Sequence, residues 1–105
     1  MTDSDRILQQ AQSMQGKLNE LQRALQDIAE EGQSGGGLVR ATLNAKGVLV
    51  RIAVDVTLLK PENQVIVEDL IVAAHADAKA KLDAKMADEV TRLSRTLGMP
   101  LIKSQ

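Results

Sequence analysis

Apolar positions between Ser4 and Glu31 recur with a strict alternation of four and three: Ile7, Ala11, Met14, Leu18, Leu21, Leu25 and Ile28. That spacing places them on one narrow seam, the a and d positions of a coiled coil. Gln9, Gln10, Gln12, Gln15, Asn19, Glu20, Gln22, Gln26 and Asp27 fill the remaining surface. The pattern predicts a helix over about residues 4–31, with Asp3 and Asp5 favouring its positive end. Such a helix cannot bury its own seam, so it must lie along another long helix, from this chain or from a second copy. Gly16 sits inside it at a cost of about 1 kcal/mol relative to Ala, either simply tolerated or at a place of close approach. The run Gly32-Gln33-Ser34-Gly35-Gly36-Gly37 has no helix-forming content and reads as a flexible connector over 32–37.

The period then switches to two. Val39, Ala41 and Leu43 share one face of a first strand; Val48, Val50, Ile52 and Val54 share one face of a second. With Asn44-Ala45-Lys46-Gly47 as the turn, this is a hairpin over 38–55. Matching the apolar faces pairs Leu43 with Val48 and Ala41 with Val50, and sets Arg40 opposite Arg51 on the outer face, where like charges repel. Gly47 in third place also suits a bulged loop that shifts this register. Pro61 suits a helix start. A second long helix is expected over about 62–97, ended by Gly98 and Pro100, with the stripe Leu70, Ala74, Ala78, Leu82, Met86, Val90, Leu93 and Leu97. Met99 to Gln105 form a short tail. The reading is one α+β domain over 1–105: a long helix, a small antiparallel sheet made of the hairpin, and a second long helix.

Composition sharpens this picture. A chain of 105 residues buries only about two thirds of its unfolded surface. It has no Phe, Tyr or Trp, so its core must come from smaller side chains, and self-association is the obvious way to recover buried area. Seam residues Ile7, Ala11, Met14, Leu18, Leu21 and Leu25, with Val50 and Ile52 of the hairpin, are the candidate dimer interface. Without Cys there is neither a disulfide framework nor a thiolate. No apolar run approaches a membrane span of roughly 18 residues, and the polar, acidic start does not read as a signal peptide, so a cytoplasmic location is expected. Net charge is −1, so any basic surface must be local.

One such surface is visible. Lys81, Lys85, Arg92 and Arg95 fall within about 80° on a helical wheel, away from the apolar stripe. They are either a solvated face with Asp83, Asp88 and Glu89 as charge partners, or a stripe of phosphate contacts. Lys17 and Arg23 are further candidates on the first helix. Arg40 and Arg51 either clamp a phosphate or are a hydrated surface pair. The Gly-rich run matches neither established phosphate-loop pattern. His75, the only histidine, falls toward the apolar side of its helix and reads as a partly buried packing residue. No second His and no Cys could share a metal with it, and no nucleophile has a base beside it, so no cofactor, metal or small-molecule substrate is expected and an enzyme is not predicted.

Several segments resemble, in order, the YbaB/EbfC family of bacterial nucleoid-associated proteins: Leu8-Gln9-Gln10-Ala11-Gln12-Ser13-Met14-Gln15, then Gly32 to Val39, Thr42-Leu43-Asn44, Asp55 with Leu58-Leu59, and Val67-Glu68-Asp69-Leu70-Ile71-Val72-Ala73-Ala74 with Asp77-Ala78. The resemblance covers nearly the whole chain. Val56 stands where the family usually has Pro, and His75 where it often has Phe. The resemblance implies a third short strand within Ala29 to Ser34. It also implies an intertwined homodimer whose helices project like tweezers, and DNA binding along those helices in the nucleoid. A second reading is a coiled-coil-rich adaptor that docks other proteins and binds little DNA.

Overall fold

The computed structural model describes residues 3–98. Its elements are α1 (Asp3–Gln26), β1 (Ala29–Ser34), β2 (Val39–Asn44), β3 (Leu49–Val54) and α2 (Gln64–Leu97). The strands form one antiparallel sheet in the order β1-β2-β3. Helix, antiparallel sheet, helix is the α+β architecture that the periodicity predicts. The tail from Met99 to Gln105 lies outside the described residues.

α1 stops at Gln26, five residues short of the expected end. The chain makes a turn at Asp27 and enters β1 two residues later. Ile28, assigned by its spacing to the helical seam, is instead buried beside Leu43, Ala78 and Leu82. Tertiary burial of this side chain outweighs the local helical pattern. The segment over 32–37 is likewise not a flexible connector. Gly32, Gln33 and Ser34 complete β1, and Gly35, Gly36 and Gly37 make a tight turn with φ of 60°, 69° and 94°. Three successive left-handed residues require glycine, so the run that reads as slack is a shaped corner.

α2 lies across β1 and β2 and barely reaches β3. Val39, Ala41 and Leu43 of β2 are wholly buried under it, as the alternation predicts. They meet Ala74, Ala78 and Leu82, the middle of the predicted α2 stripe. The contact with β1 is closer still. A Cβ placed on Gly32 would lie 2.1 Å from the Ala78 nitrogen and 2.4 Å from the Ala74 carbonyl oxygen. Helix backbone therefore rests on strand backbone, made possible by glycine on one side and alanines on the other. Polar bonds fix the same seam: the Ser34 hydroxyl donates to the Leu70 carbonyl at 2.6 Å, and the Gln33 N–H donates to Asp77 Oδ2 at 2.9 Å. Asp77 thus covers the outward-facing edge of β1, a group that would otherwise be open to pairing.

The hairpin register differs from the one that matching apolar faces gives. Leu43 pairs with Leu49, not Val48; Ala41 pairs with Ile52, not Val50; and Thr42 pairs with Arg51. A bulge between Thr42 and Leu43 absorbs the extra residue of β3. Its cause lies in the turn. Asn44 Oδ1 accepts from the N–H groups of Lys46 and Val48, and the Asn44 carbonyl accepts from Gly47. This holds four residues in a closed loop and sets the strand exit. Arg40 consequently faces Ala53 across the ladder, and the two arginines are diagonal neighbours.

His75 is exposed, contrary to its expected place as a partly buried packing residue. Ala74 and Ala78 point at the sheet, and His75 is carried about 100° round from Ala74 to a side that α2 leaves open.

Candidate nucleic-acid interface

Both helices extend from one end of the sheet. Leu25 of α1 and Met86 of α2 pack against the same cluster, formed by Ile28, Leu43, Ala78 and Leu82. No α1 residue is buried, and Asp3 to Glu20 are all exposed. On α2 nothing described beyond Leu82 is buried either. The molecule measures 75 × 28 × 16 Å, although strands of six residues span only about 20 Å. The excess length is α1 and the second half of α2, two arms standing clear of the sheet.

The candidate dimer residues divide along this line. Ile7, Met14 and Leu18 are 66%, 42% and 39% exposed, Ala11 is also exposed, and Leu21 and Leu25 are half-buried near the sheet. Val50 and Ile52 on β3 are exposed as well, because α2 does not reach over them.

Basic residues follow the arms. Lys81 sits at the edge of β1, where its Nζ contacts Asp77 Oδ2 at 2.9 Å and donates to the Glu31 carbonyl at 3.4 Å. Lys85 and Arg92 share one carboxylate: Lys85 Nζ is 3.3 Å from Glu89 Oε1, and Arg92 Nη2 is 2.7 Å from Glu89 Oε2. Arg95, Lys17 and Arg23 are exposed and make no ion pair among the described residues. Lys81, Lys85, Arg92 and Arg95 thus run along one side of α2 as the wheel predicts. Three of the four already hold an intramolecular carboxylate. Asp83 pairs with Lys79 instead of the stripe.

Glu89 is a charge partner that the helical spacing predicts, whereas Asp77 is the carboxylate that the sequence reading misses, although its spacing of four from Lys81 announces it. The hydrogen bond from Arg92, with help from Lys85, holds the Glu89 carboxyl below its ordinary range. The Gln33 N–H does the same for Asp77, and Lys81 adds to it. Glu89 is only 15% exposed, whereas the cations around it face solvent. The arms therefore present positive groups outward over a shielded carboxylate.

On the sheet, Arg40 and Arg51 occupy the face away from α2, in a shallow cavity of about 120 Å³ with Glu31, Thr42 and Ala53. Among the described residues no group of His, Asp and Glu could hold a metal ion, and no helix is long and apolar enough to cross a membrane.

A sequence profile of the YbaB/EbfC DNA-binding family matches residues 1–97. The chain belongs to that family. Relatives include a nucleoid-associated protein of Methylocella silvestris, 41% identical over 100 residues that cover 95% of this chain and 94% of the relative. A nucleoid-associated protein of Caulobacter vibrioides is 48% identical over 87 residues, covering 83% and 80%. Among solved structures, the uncharacterized protein HP0035 from Helicobacter pylori superposes with a TM-score of 0.63 at 20% identity, over 89% of this chain and 98% of that one, and so shares the fold.

Proposed function

We propose that this protein is a nucleoid-associated DNA-binding protein that acts as a homodimer and grips the phosphate backbone with the basic side of its arms. The observation that carries the reading is the placement of Lys81, Lys85, Arg92 and Arg95 along one exposed side of α2, in a member of a DNA-binding family. Lys17 and Arg23, exposed on α1, are further candidate contacts. Contacts of this kind go to phosphates and carry little sequence information. The chain has no aromatic side chain, so it offers no platform for stacking single-stranded bases. Self-association is supported by two exposed apolar surfaces that the lone chain leaves uncovered, the α1 seam and the Val50 and Ile52 side of β3.

Salt dependence of duplex binding is the test. Log K falls with log[salt] at about −0.9 per phosphate contact, so the dimer should lose affinity steeply between low and near-physiological salt. Replacing Lys81, Lys85, Arg92 and Arg95 together by Glu should abolish the gel shift while sedimentation still reports the parent's assembly. A flat salt response would refute backbone contacts, and a quadruple variant that binds as the parent does would move the site off the arms. A confirmed dimer with no shift at low salt would favour the adaptor reading instead.

A further inference from the structure

Along α2, three of the four cations of the proposed DNA-gripping stripe already hold a carboxylate of the same helix. Lys81 holds Asp77, and Lys85 and Arg92 hold Glu89. Arg40 and Arg51 stand in contrast, with no ion pair among the described residues. They rise from adjacent strands on the same face of the sheet, opposite the helix-covered side. The bulged register makes them diagonal, not directly opposed. Directly opposed like charges repel at close range. Diagonal neighbours are roughly 7–8 Å apart at the backbone, a span that two long guanidinium side chains can close around a shared anion. Both line one concavity of about 120 Å³ with Thr42, the cross-strand partner of Arg51 two residues along β2 from Arg40, whose hydroxyl is a further donor. That is several times the roughly 10–15 Å³ that one water needs by the same measure, and admits a tetrahedral anion.

We propose that the outer face of the sheet is a second, separate phosphate-binding site, formed by Arg40, Arg51 and the Thr42 hydroxyl. Guanidinium groups suit this ligand because each can donate two parallel N–H bonds to phosphate oxygens. Of the residues that line the concavity, two are cationic arginines and one, Glu31, is a carboxylate, so the lining itself carries a net positive charge. The Asp55 carboxylate, also near Arg40, does not fill the site. It accepts from the hydroxyl and N–H of Thr57, the bonds that chiefly hold it below its ordinary range. A DNA backbone phosphate and a free phosphorylated molecule share the required chemistry. The site does not depend on the arms binding DNA.

The test is a titration of isotopically labelled full-length protein with inorganic phosphate at constant ionic strength, followed through backbone amides. Saturable shifts are expected at Arg40, Thr42 and Arg51, with at least tenfold weaker binding in an Arg40→Ala, Arg51→Ala double variant. Both side chains are exposed, so that variant should keep the parent's circular dichroism and melting temperature; either single replacement serves as a check on folding. Shifts that never saturate, that chloride reproduces, or that persist in the double variant would overturn the site. A duplex added to the phosphate-saturated protein then separates the sources. Displacement of phosphate at these amides identifies DNA backbone, whereas shifts confined to the arms identify a free phosphorylated ligand.

Discussion

The half of α2 that lies on the sheet and the half that leaves it are built on opposite rules. Over the sheet, side chains shrink to Ala74 and Ala78 so that backbone meets backbone, and polar groups are tied to particular partners, Asp77 to Gln33 and Leu70 to Ser34. Beyond Met86 the paired charges find their partners on the same helix, and no described residue of that half, nor any of α1, is buried. Two glycines display the same contrast. Gly32 is pressed against α2 from within β1, whereas nothing outside its own helix turn lies within 4 Å of a Cβ added at Gly16. Cooperative stability is therefore concentrated in the sheet and the part of α2 upon it. The arms are held by helix propensity until something packs against their seam.

Gly32→Ala should break the first rule and have the largest effect. The added methyl would sit 2.1 Å from the Ala78 nitrogen, and backbone cannot rotate away as a side chain would. Overpacking in a close-packed interior costs about 1–3 kcal/mol and sometimes more, and a clash with main chain belongs at or beyond the top of that range. Chemical denaturation should show a destabilisation of about 3 kcal/mol or more. A variant within 1 kcal/mol of the parent would mean that α2 can lift off β1 cheaply.

Both rules were partly legible in the sequence. The seam, the two-residue alternation of β2 and the α2 stripe are periodic signals, and each marks a real element. Val39, Ala41, Leu43, Ala74, Ala78 and Leu82 are buried where that pattern puts them. What escaped pattern reading depends on contacts between distant segments. The end of α1 is decided by burial of Ile28 against α2, and β1, with only one apolar residue in Ala29–Ser34, is a strand because α2 covers it. Its presence is implied by the family resemblance, not by alternation. The register turned on the Asn44 side chain, whose two bonds close the loop. Along α2 the cations and their partner Glu89 are legible from helical spacing, while the pair of Lys81 with Asp77, which also ties the helix to β1, is not read there.

Asp77→Asn probes the link between α2 and the β1 edge with a smaller effect. Asn keeps an acceptor for the Gln33 N–H but loses the charge that favours that bond and the pair with Lys81. The Asp77 carboxyl is held below its ordinary range in the folded protein, first by that N–H and then by Lys81. Folding therefore favours the ionised form. Its contribution is complete above the unfolded-state value and disappears as pH falls through the lowered one. Urea unfolding across a pH series should show the variant less stable near neutrality, with the gap closing on acidification. A gap independent of pH would show that the charge has no part in holding the edge. Partial exposure keeps the difference modest.

The smallest expected effect is at Gly16, and it bears on the second rule. Alanine favours a helix over glycine by about 1 kcal/mol, and the site is open, so Gly16→Ala should add helix content to α1 by circular dichroism. If the arm is energetically separate from the sheet, the denaturant midpoint of the cooperative transition should barely move, even as α1 frays less. A midpoint shifted by the full propensity difference would join α1 to the sheet in one unit and erase the contrast between arm and sheet. Position 16 also lies on the opposite side of α1 from Met14 and Leu18, since two residues advance the helix by about 200°. An extra methyl there should leave self-association through the seam untouched. Should sedimentation instead show a weakened assembly, a second chain approaches α1 from the polar side, and Gly16 is a contact that Gly32 already exemplifies within one chain.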